Sequence, residues 1–163
     1  MKKRFGCCGK RVHLSPFSTF IEPRNMRVGD NVHIGFNGWF RADGGLEIGD
    51  NTHISRNCVI FTSSHNYEGE RLPYDNTYIQ KPVQIGKNVW LGMNVMIVPG
   101  VTIGDGAIIA LGTVVVKDVP PLAVVGGYGK RILKYRDKEH YEKLEKEGLY
   151  GGVEGKALNQ NIE

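Results

Sequence analysis

Residues 85–120 repeat with a period of six. The blocks read IGKNVW, LGMNVM, IVPGVT, IGDGAI, IALGTV and VVKDVP, and each opens on an aliphatic residue: Ile85, Leu91, Ile97, Ile103, Ile109 and Val115. The second position is Gly at 86, 92 and 104. The fifth is small or β-branched throughout, from Val89, Val95 and Val101 to Ala107, Thr113 and Val119. A helix wants apolar residues at 3.6-residue spacing, and a half-buried strand wants alternation. A period of six satisfies neither alone. It fits short strands joined by tight turns and wound as a solenoid. Three blocks then make one coil of a triangular prism, about 18 residues. The first position of each block fills the interior, and Gly or Asn near a corner tolerates the positive φ that the turn requires.

The same register starts at Val28 (VGDNVH, IGFNGW, FRADGG) and resumes at Ile48 (IGDNTH, ISRNCV, IFTSSH), so Val28, Ile34, Phe40, Ile48, Ile54 and Ile60 also head blocks. Leu46 and Glu47 stand between the two runs and are expected to bulge outward at a corner. Coils are thus expected over 28–45, 48–65, 85–102 and 103–120. Residues 66–84, NYEGERLPYDNTYIQKPVQ, carry no period and must project from a corner. A loop of that length is often functional, and Tyr67, Tyr74 and Tyr78 suggest that it packs on something. Residues 1–27 are read as an N-terminal cap, where Pro16 and Pro23 exclude a long helix and the spacing of Leu14 and Phe20 suits an opening coil. The third segment, 121–163, holds a turn, a helix and a tail. Ile132, Tyr135, His140, Tyr141 and Leu144 give partial helical spacing, and Gly148 suits a C-cap. A helix from about Lys134 or Arg136 to Glu147 is expected to cover the open end of the prism, and residues 151–163 are expected to be poorly ordered.

The repeats, followed by VVKDVPP at Val115–Pro121 and VVGGYGKR at Val124–Arg131, resemble the left-handed parallel β-helix acyltransferases of the hexapeptide-repeat family over roughly residues 28–134. The family's ending is a Lys-Asp-hydrophobic-Pro-Pro run and then Gly-x-Pro-x-Arg. Here Gly129 stands where the family has Pro, while Arg131 remains. The resemblance implies an all-β solenoid, a left-handed parallel β-helix with a projecting loop and a C-terminal helix. Its coil would be an exception to the right-handed crossover rule. It also implies acetyl-CoA as acyl donor, and a homotrimer with the thioester in a groove between subunits. The galactoside, maltose and xenobiotic acetyltransferases are of this type.

His65 is the candidate general base. A solenoid of aliphatics and Gly offers few bases, and imidazole titrates near neutrality. Acetyl transfer to a hydroxyl needs a base that takes the alcohol proton as the oxygen attacks. A lone His settles nothing, but the family's catalytic His stands 17 residues after the Ile of an Ile-Gly-Asp block and just before the inserted loop, as His65 does after Ile48. The family's assisting Asn aligns with Gly35. Asn37, two residues on, keeps the same side of a strand and either substitutes or is a plain corner Asn. The resemblance further implies coenzyme contacts from Trp90, Gly92, Leu111 and Gly112. It places Lys117, Arg131 and Lys134 where the family contacts the coenzyme's 3′-phosphate and pyrophosphate, to which Lys and Arg are suited. These cations can equally form a solvated face.

His33 and His53, 20 residues apart, should stack about one strand spacing (~4.8 Å) from each other. They form either a surface ladder or a metal site on a trimer interface, and no metal is expected. A net charge of +4 is too mild to argue for nucleic acid. No apolar run approaches the ~18 residues of a membrane span, and the basic start lacks the apolar segment of a signal peptide. The three cysteines imply reduced thiols in the cytoplasm. The expected function is acetyl-CoA-dependent O-acetyl transfer to a hydroxyl of a sugar or polysaccharide precursor. An N-acetyltransferase, an antibiotic acetyltransferase and a non-catalytic assembly subunit are the alternatives. A γ-type carbonic anhydrase would need a His five residues after His65, where Glu70 stands.

Overall fold

A computed structural model describes residues 1–127 and 131–151. Short strands wind into stacked coils, and each coil lays one strand on each of three parallel sheets, faces A, B and C in chain order. The first coil is β1 (Cys7–Cys8), β2 (His13–Leu14) and β3 (Thr19–Ile21). The second is β4 (Met26–Val28), β5 (His33–Ile34) and β6 (Trp39–Arg41), and the third is β7 (Leu46–Ile48), β8 (His53–Ile54) and β9 (Val59–Phe61). A hairpin of β10 (Ser63–His65) and β11 (Tyr78–Gln80) then leaves the prism. Winding resumes with β12 (Val83–Ile85), β13 (Trp90–Leu91) and β14 (Met96–Ile97), then β15 (Thr102–Ile103), β16 (Ile108–Ile109) and β17 (Val114–Val115). β18 (Ala123–Gly126) extends face B, and β19 (Arg131–Tyr135) folds back antiparallel on it before helix α1 (Lys138–Lys146). The architecture is the expected left-handed parallel β-helix.

The period of six is the period of the core. All the block-heading residues, from Val28 to Val115, are at most 3% exposed. The fifth positions, Val89, Val95, Val101, Ala107, Thr113 and Val119, are buried as well. Each enclosed Ile or Leu contributes about 1.5–3 kcal/mol of burial. The corners are built by repetition between coils. The Asp50 carboxylate accepts from the Asp30 N–H at 2.7 Å, Asp30 accepts from Lys10 at 2.7 Å, and Asp105 accepts from Lys87 at 3.0 Å. Beside them Asn31, Asn51 and Asn88 take φ of 52°, 57° and 57°, a conformation that Asn tolerates well. Gly29, Gly49 and Gly86 stack at the same corner. A Cβ on Gly49 would lie 2.6 Å from the Gly86 carbonyl carbon, so the glycines set how closely coils approach.

Three boundaries differ from expectation. Leu46 and Glu47 do not bulge outward: Leu46 is fully buried in β7, in register with Met26 below and Val83 above. The two extra residues lengthen the face A strand, so Val28 pairs with Ile48, 20 positions on, whereas Gln84 pairs with Thr102, 18 on. The projecting segment ends earlier than residue 84, because Val83 is buried and β12 already belongs to the next coil. Helix α1 starts at Lys138 rather than at 134 or 136. The Asp137 side chain caps it by accepting from the His140 N–H at 2.7 Å, while Lys134 lies in β19. Gly148, with φ 64°, ends it as expected. The helix does not cover the prism end. Its Tyr141 hydroxyl accepts from the Asn88 amide at 2.8 Å, and Glu145 is paired with both Lys87 and Asn88, which holds it along the corner between faces A and B.

The cap expected over 1–27 contains a short 3-10 turn (Lys2–Arg4) and the first coil, whose strands pair in parallel with the second. The expected disorder of 151–163 concerns residues of which only Gly151 is described.

Candidate active site

His65 ends β10 at the corner between faces C and A, where the chain departs into the loop. The hairpin pairs His65 with Tyr78, Ser64 with Ile79 and Ser63 with Gln80. The loop is organised by Asp75, whose carboxylate accepts from the Thr77 N–H at 2.8 Å, the Thr77 hydroxyl at 2.5 Å and the Glu70 N–H at 3.2 Å. These bonds hold the Asp75 carboxyl below its ordinary range. The turn they define carries Tyr74 back over His65. The two rings stack at 3.9 Å between centroids with 14° between planes, and Tyr78 meets the imidazole at 4.6 Å and 36°. The His65 Nδ1 is buried and has no hydrogen-bond partner among the described residues.

Behind this stack sits an ion pair. Arg41 donates from Nε to Asp43 at 2.5 Å, the Ser63 hydroxyl donates to the same carboxylate oxygen at 2.7 Å, and the Arg41 guanidinium lies 4.9 Å from the Tyr78 ring centre. Burial pushes the Asp43 carboxyl up, but the bonds from Ser63 and Arg41 more than offset it and hold it below its ordinary range. Sequence reasoning missed Arg41 and Asp43. The signal was the 20-residue coil: Asp43 stands 20 before Ser63, one coil below.

The other candidates fall on other edges. Asn37 occupies the corner between faces B and C with φ 56°, and its amide donates to Asn57 at 3.1 Å, which donates in turn to Asn94 at 3.0 Å. It is a rung of a corner ladder. Gly92, Leu111 and Gly112 stand at that same edge, in the coils above. Leu111 is 74% exposed, and a Cβ on Gly112 would meet nothing within 4 Å, whereas one on Gly92 would collide with the Leu111 backbone at 2.6 Å. Trp90 is 54% exposed on face B, its indole N–H directed at the Ser55 hydroxyl at 3.4 Å. Trp90, Ile108, Tyr141, Leu144 and Tyr150 line a groove of about 540 Å³ between face B and α1. Lys117 is exposed after β17, near the edge where faces C and A meet. Arg131 and Lys134 lie on β19, with side chains outside the described set. Within one chain, therefore, His65 is brought together with neither Asn37 nor the Trp90 groove.

The expected histidine ladder is present and longer than expected. His13, His33 and His53 occupy one register on face B, with centroids 5.8 Å apart for the first pair and 4.3 Å for the second. The His33 Nε2 faces the Asn31 amide oxygen at 3.1 Å. Among the described residues no cluster of three or more His, Cys, Asp or Glu is arranged to hold a metal. Burial first, and then the neighbouring His53 and His13, push His33 down to about 4, and burial lowers His53 as well. Unfolded imidazole titrates near 6.5, so between these values the unfolded chain binds the extra proton. Stability is full above about pH 6.5 and falls as the pH drops toward 4. With His33 half-exposed the loss is about 1–2 kcal/mol. His33→Gln should flatten the dependence of melting temperature on pH across this window. A variant that declines in parallel with wild type excludes this origin.

Two stretches match known families: residues 82–117 match the bacterial transferase hexapeptide (six repeats), and residues 26–62 match the hexapeptide repeat of succinyl-transferase. The chain is 40% identical over 150 residues to the sophorolipid acetyltransferase of Starmerella bombicola, covering 91% of this chain and 57% of that protein's length. It is 35% identical over 146 residues to the galactoside O-acetyltransferase of Escherichia coli (strain K12), covering 88% and 71%. The solved hexapeptide-repeat-containing acetyltransferase of Vibrio cholerae O1 biovar eltor, complexed with acetyl coenzyme A, superposes with a TM-score of 0.74 at 35% identity, over 83% of this chain and 74% of that one. No helix among the described residues is long and apolar enough to cross a membrane. A solenoid whose core repeats every six residues, together with relatives that match nearly its full length, places the chain in the hexapeptide-repeat acetyltransferase family.

Proposed function

We propose that this protein transfers the acetyl group of acetyl-CoA to a hydroxyl of a sugar or polysaccharide precursor, with His65 as general base. The observation that carries the reading is the placement of His65 at the foot of an ordered, Tyr-rich hairpin, in a chain whose relatives are acetyltransferases. The imidazole takes the acceptor proton as the oxygen attacks the thioester carbonyl, and returns a proton to the departing thiolate of coenzyme A. The donor lies along Trp90, Gly92, Leu111 and Gly112, with Lys117, Arg131 and Lys134 toward its phosphates. Asn37 stands on the same edge as the two glycines. Its amide nitrogen is committed to Asn57, which leaves its carbonyl oxygen for an acceptor hydroxyl.

His65 stands on a different edge from Asn37, Gly92, Leu111 and Gly112 and away from the Trp90 groove, so a complete site takes edges from two copies. Face C supports that assembly. Next to the buried register of Phe40, Ile60, Ile97 and Val115, it turns the register of Trp39, Val59, Met96 and Val114 outward, three of them well exposed, an unusual apolar strip for a lone chain. A homotrimer closes it. The three free thiols suit a reducing, cytoplasmic setting.

Thiol release from acetyl-CoA across galactosides, maltose, amino sugars and chloramphenicol tests the reading. Turnover with the neutral sugars is expected. Turnover confined to chloramphenicol or to amines would replace the acceptor class. No turnover, with no heat of acetyl-CoA binding by calorimetry, would contradict an enzymatic role.

A further inference from the structure

The described residues offer His65 neither a carboxylate nor a carbonyl at Nδ1, the usual means of fixing a catalytic imidazole. They offer two aromatic rings instead. We infer that Tyr74 is the positioning residue for His65, holding the imidazole by face-to-face stacking, with Tyr78 and the Arg41–Asp43–Ser63 group as its backing. The inference rests on the general-base reading above.

Four features support the assignment. The Tyr74 contact is close and nearly parallel, 3.9 Å and 14°, which fixes the plane of the imidazole. Tyr78 is held from two sides, as the cross-strand partner of His65 and as the ring beneath the Arg41 guanidinium. Arg41 is immobilised by Asp43, and Asp43 by Ser63, which begins the strand that His65 ends, so the backing closes on itself. Tyr74 in turn is placed by Asp75, whose N–H donates to the Asn66 carbonyl at 3.3 Å and whose carboxylate ties down Thr77 and Glu70. The irregular loop is thereby a device that returns one ring to its own foot.

The clamp also suits the reaction. After taking a proton His65 is a cation against the electron-rich faces of tyrosine rings, an attractive arrangement. Stacking covers the ring's faces, and with Nδ1 buried it is the Nε2 end that is left to meet an acceptor hydroxyl. Fixing that end to within a fraction of an ångström is what a positioned base requires.

Tyr74→Leu removes the aromatic face, and Tyr74→Phe keeps it without the hydroxyl. Both lie in a loop outside the buried core, and melting curves check that each folds. The first readout is the proton spectrum of the His65 ring, assigned by comparison with His65→Ala. In wild type these protons carry an upfield ring-current shift, which Tyr74→Phe retains and Tyr74→Leu reduces to the smaller part that Tyr78 supplies. The second is turnover with acetyl-CoA and methyl β-galactopyranoside or maltose. Tyr74→Leu should lower kcat roughly 10-fold or more with the KM for acetyl-CoA nearly unchanged, and Tyr74→Phe should stay within about 3-fold of wild type. An unshifted His65 spectrum in wild type overturns the proposal. So does Tyr74→Phe losing as much turnover as Tyr74→Leu, or a loss in Tyr74→Leu confined to KM. Full turnover in His65→Ala contradicts the base assignment and leaves the positioning role without an object, while the ring-current shift still reports the stack. If neither sugar is an acceptor, that shift alone decides for or against the clamp.

Discussion

His65→Ala is expected to lower kcat by roughly 10²–10⁴-fold, the usual contribution of a positioned general base. The KM for acetyl-CoA should change little, because the residues proposed to hold the coenzyme, Lys117 apart, stand away from the edge that carries His65. The fold should survive. His65 ends a strand of the projecting hairpin, not of the coils, and none of the buried aliphatics depends on it. Steady-state kinetics and a thermal melt on the same preparations separate the possibilities. Equal losses in turnover and in melting temperature would make His65 structural. Unchanged turnover would remove it from the mechanism.

The largest effect on stability is expected at a glycine. In Gly49→Val the new Cβ falls 2.6 Å from the Gly86 carbonyl carbon and 2.6 Å from the Lys87 nitrogen. Both are backbone atoms of the next coil, so no side chain can rotate away. Relief requires that neighbouring coils separate, which stretches strand hydrogen bonds such as Gly49 N–H to the Ile85 carbonyl at 2.8 Å. The cost should be roughly 3 kcal/mol or more, at the upper end of overpacking. Gly112→Ala provides the contrast. It meets nothing within 4 Å and bears only the strain of φ 69°, about 1 kcal/mol. Urea denaturation compares the two. If Gly49→Val is no more destabilised than Gly112→Ala, the glycine stack does not set coil spacing.

Much of this was legible in the chain because a solenoid is nearly one-dimensional. Each coil contacts only its neighbours, so a period in sequence becomes a period in space. That is why Ile85, Leu91 and Ile97 could be assigned to the interior and His33 set against His53. Leu46 was misplaced by a strict count of six: the early coils are two residues longer, and its apolar side chain gains by facing inward. The helix start was misplaced because Ile132 and Tyr135 satisfy helical spacing as readily as a strand, and the pairing of β19 with β18 is not visible locally. The surroundings of His65 were illegible for a different reason. The approach of Tyr74 depends on hydrogen bonds of Asp75 within an aperiodic loop, and Asp43 reaches Ser63 only through coil stacking.

The central claim is acetyl transfer to a hydroxyl, and the product itself tests it most directly. The acceptor that supports thiol release would be isolated, weighed by mass spectrometry and treated with alkaline hydroxylamine. One acetyl group per thiol released, cleaved by hydroxylamine as an ester and absent when His65→Ala replaces wild type, is the predicted result. An acetyl group that resists hydroxylamine as an amide, or thiol release without an acetylated product, would contradict it.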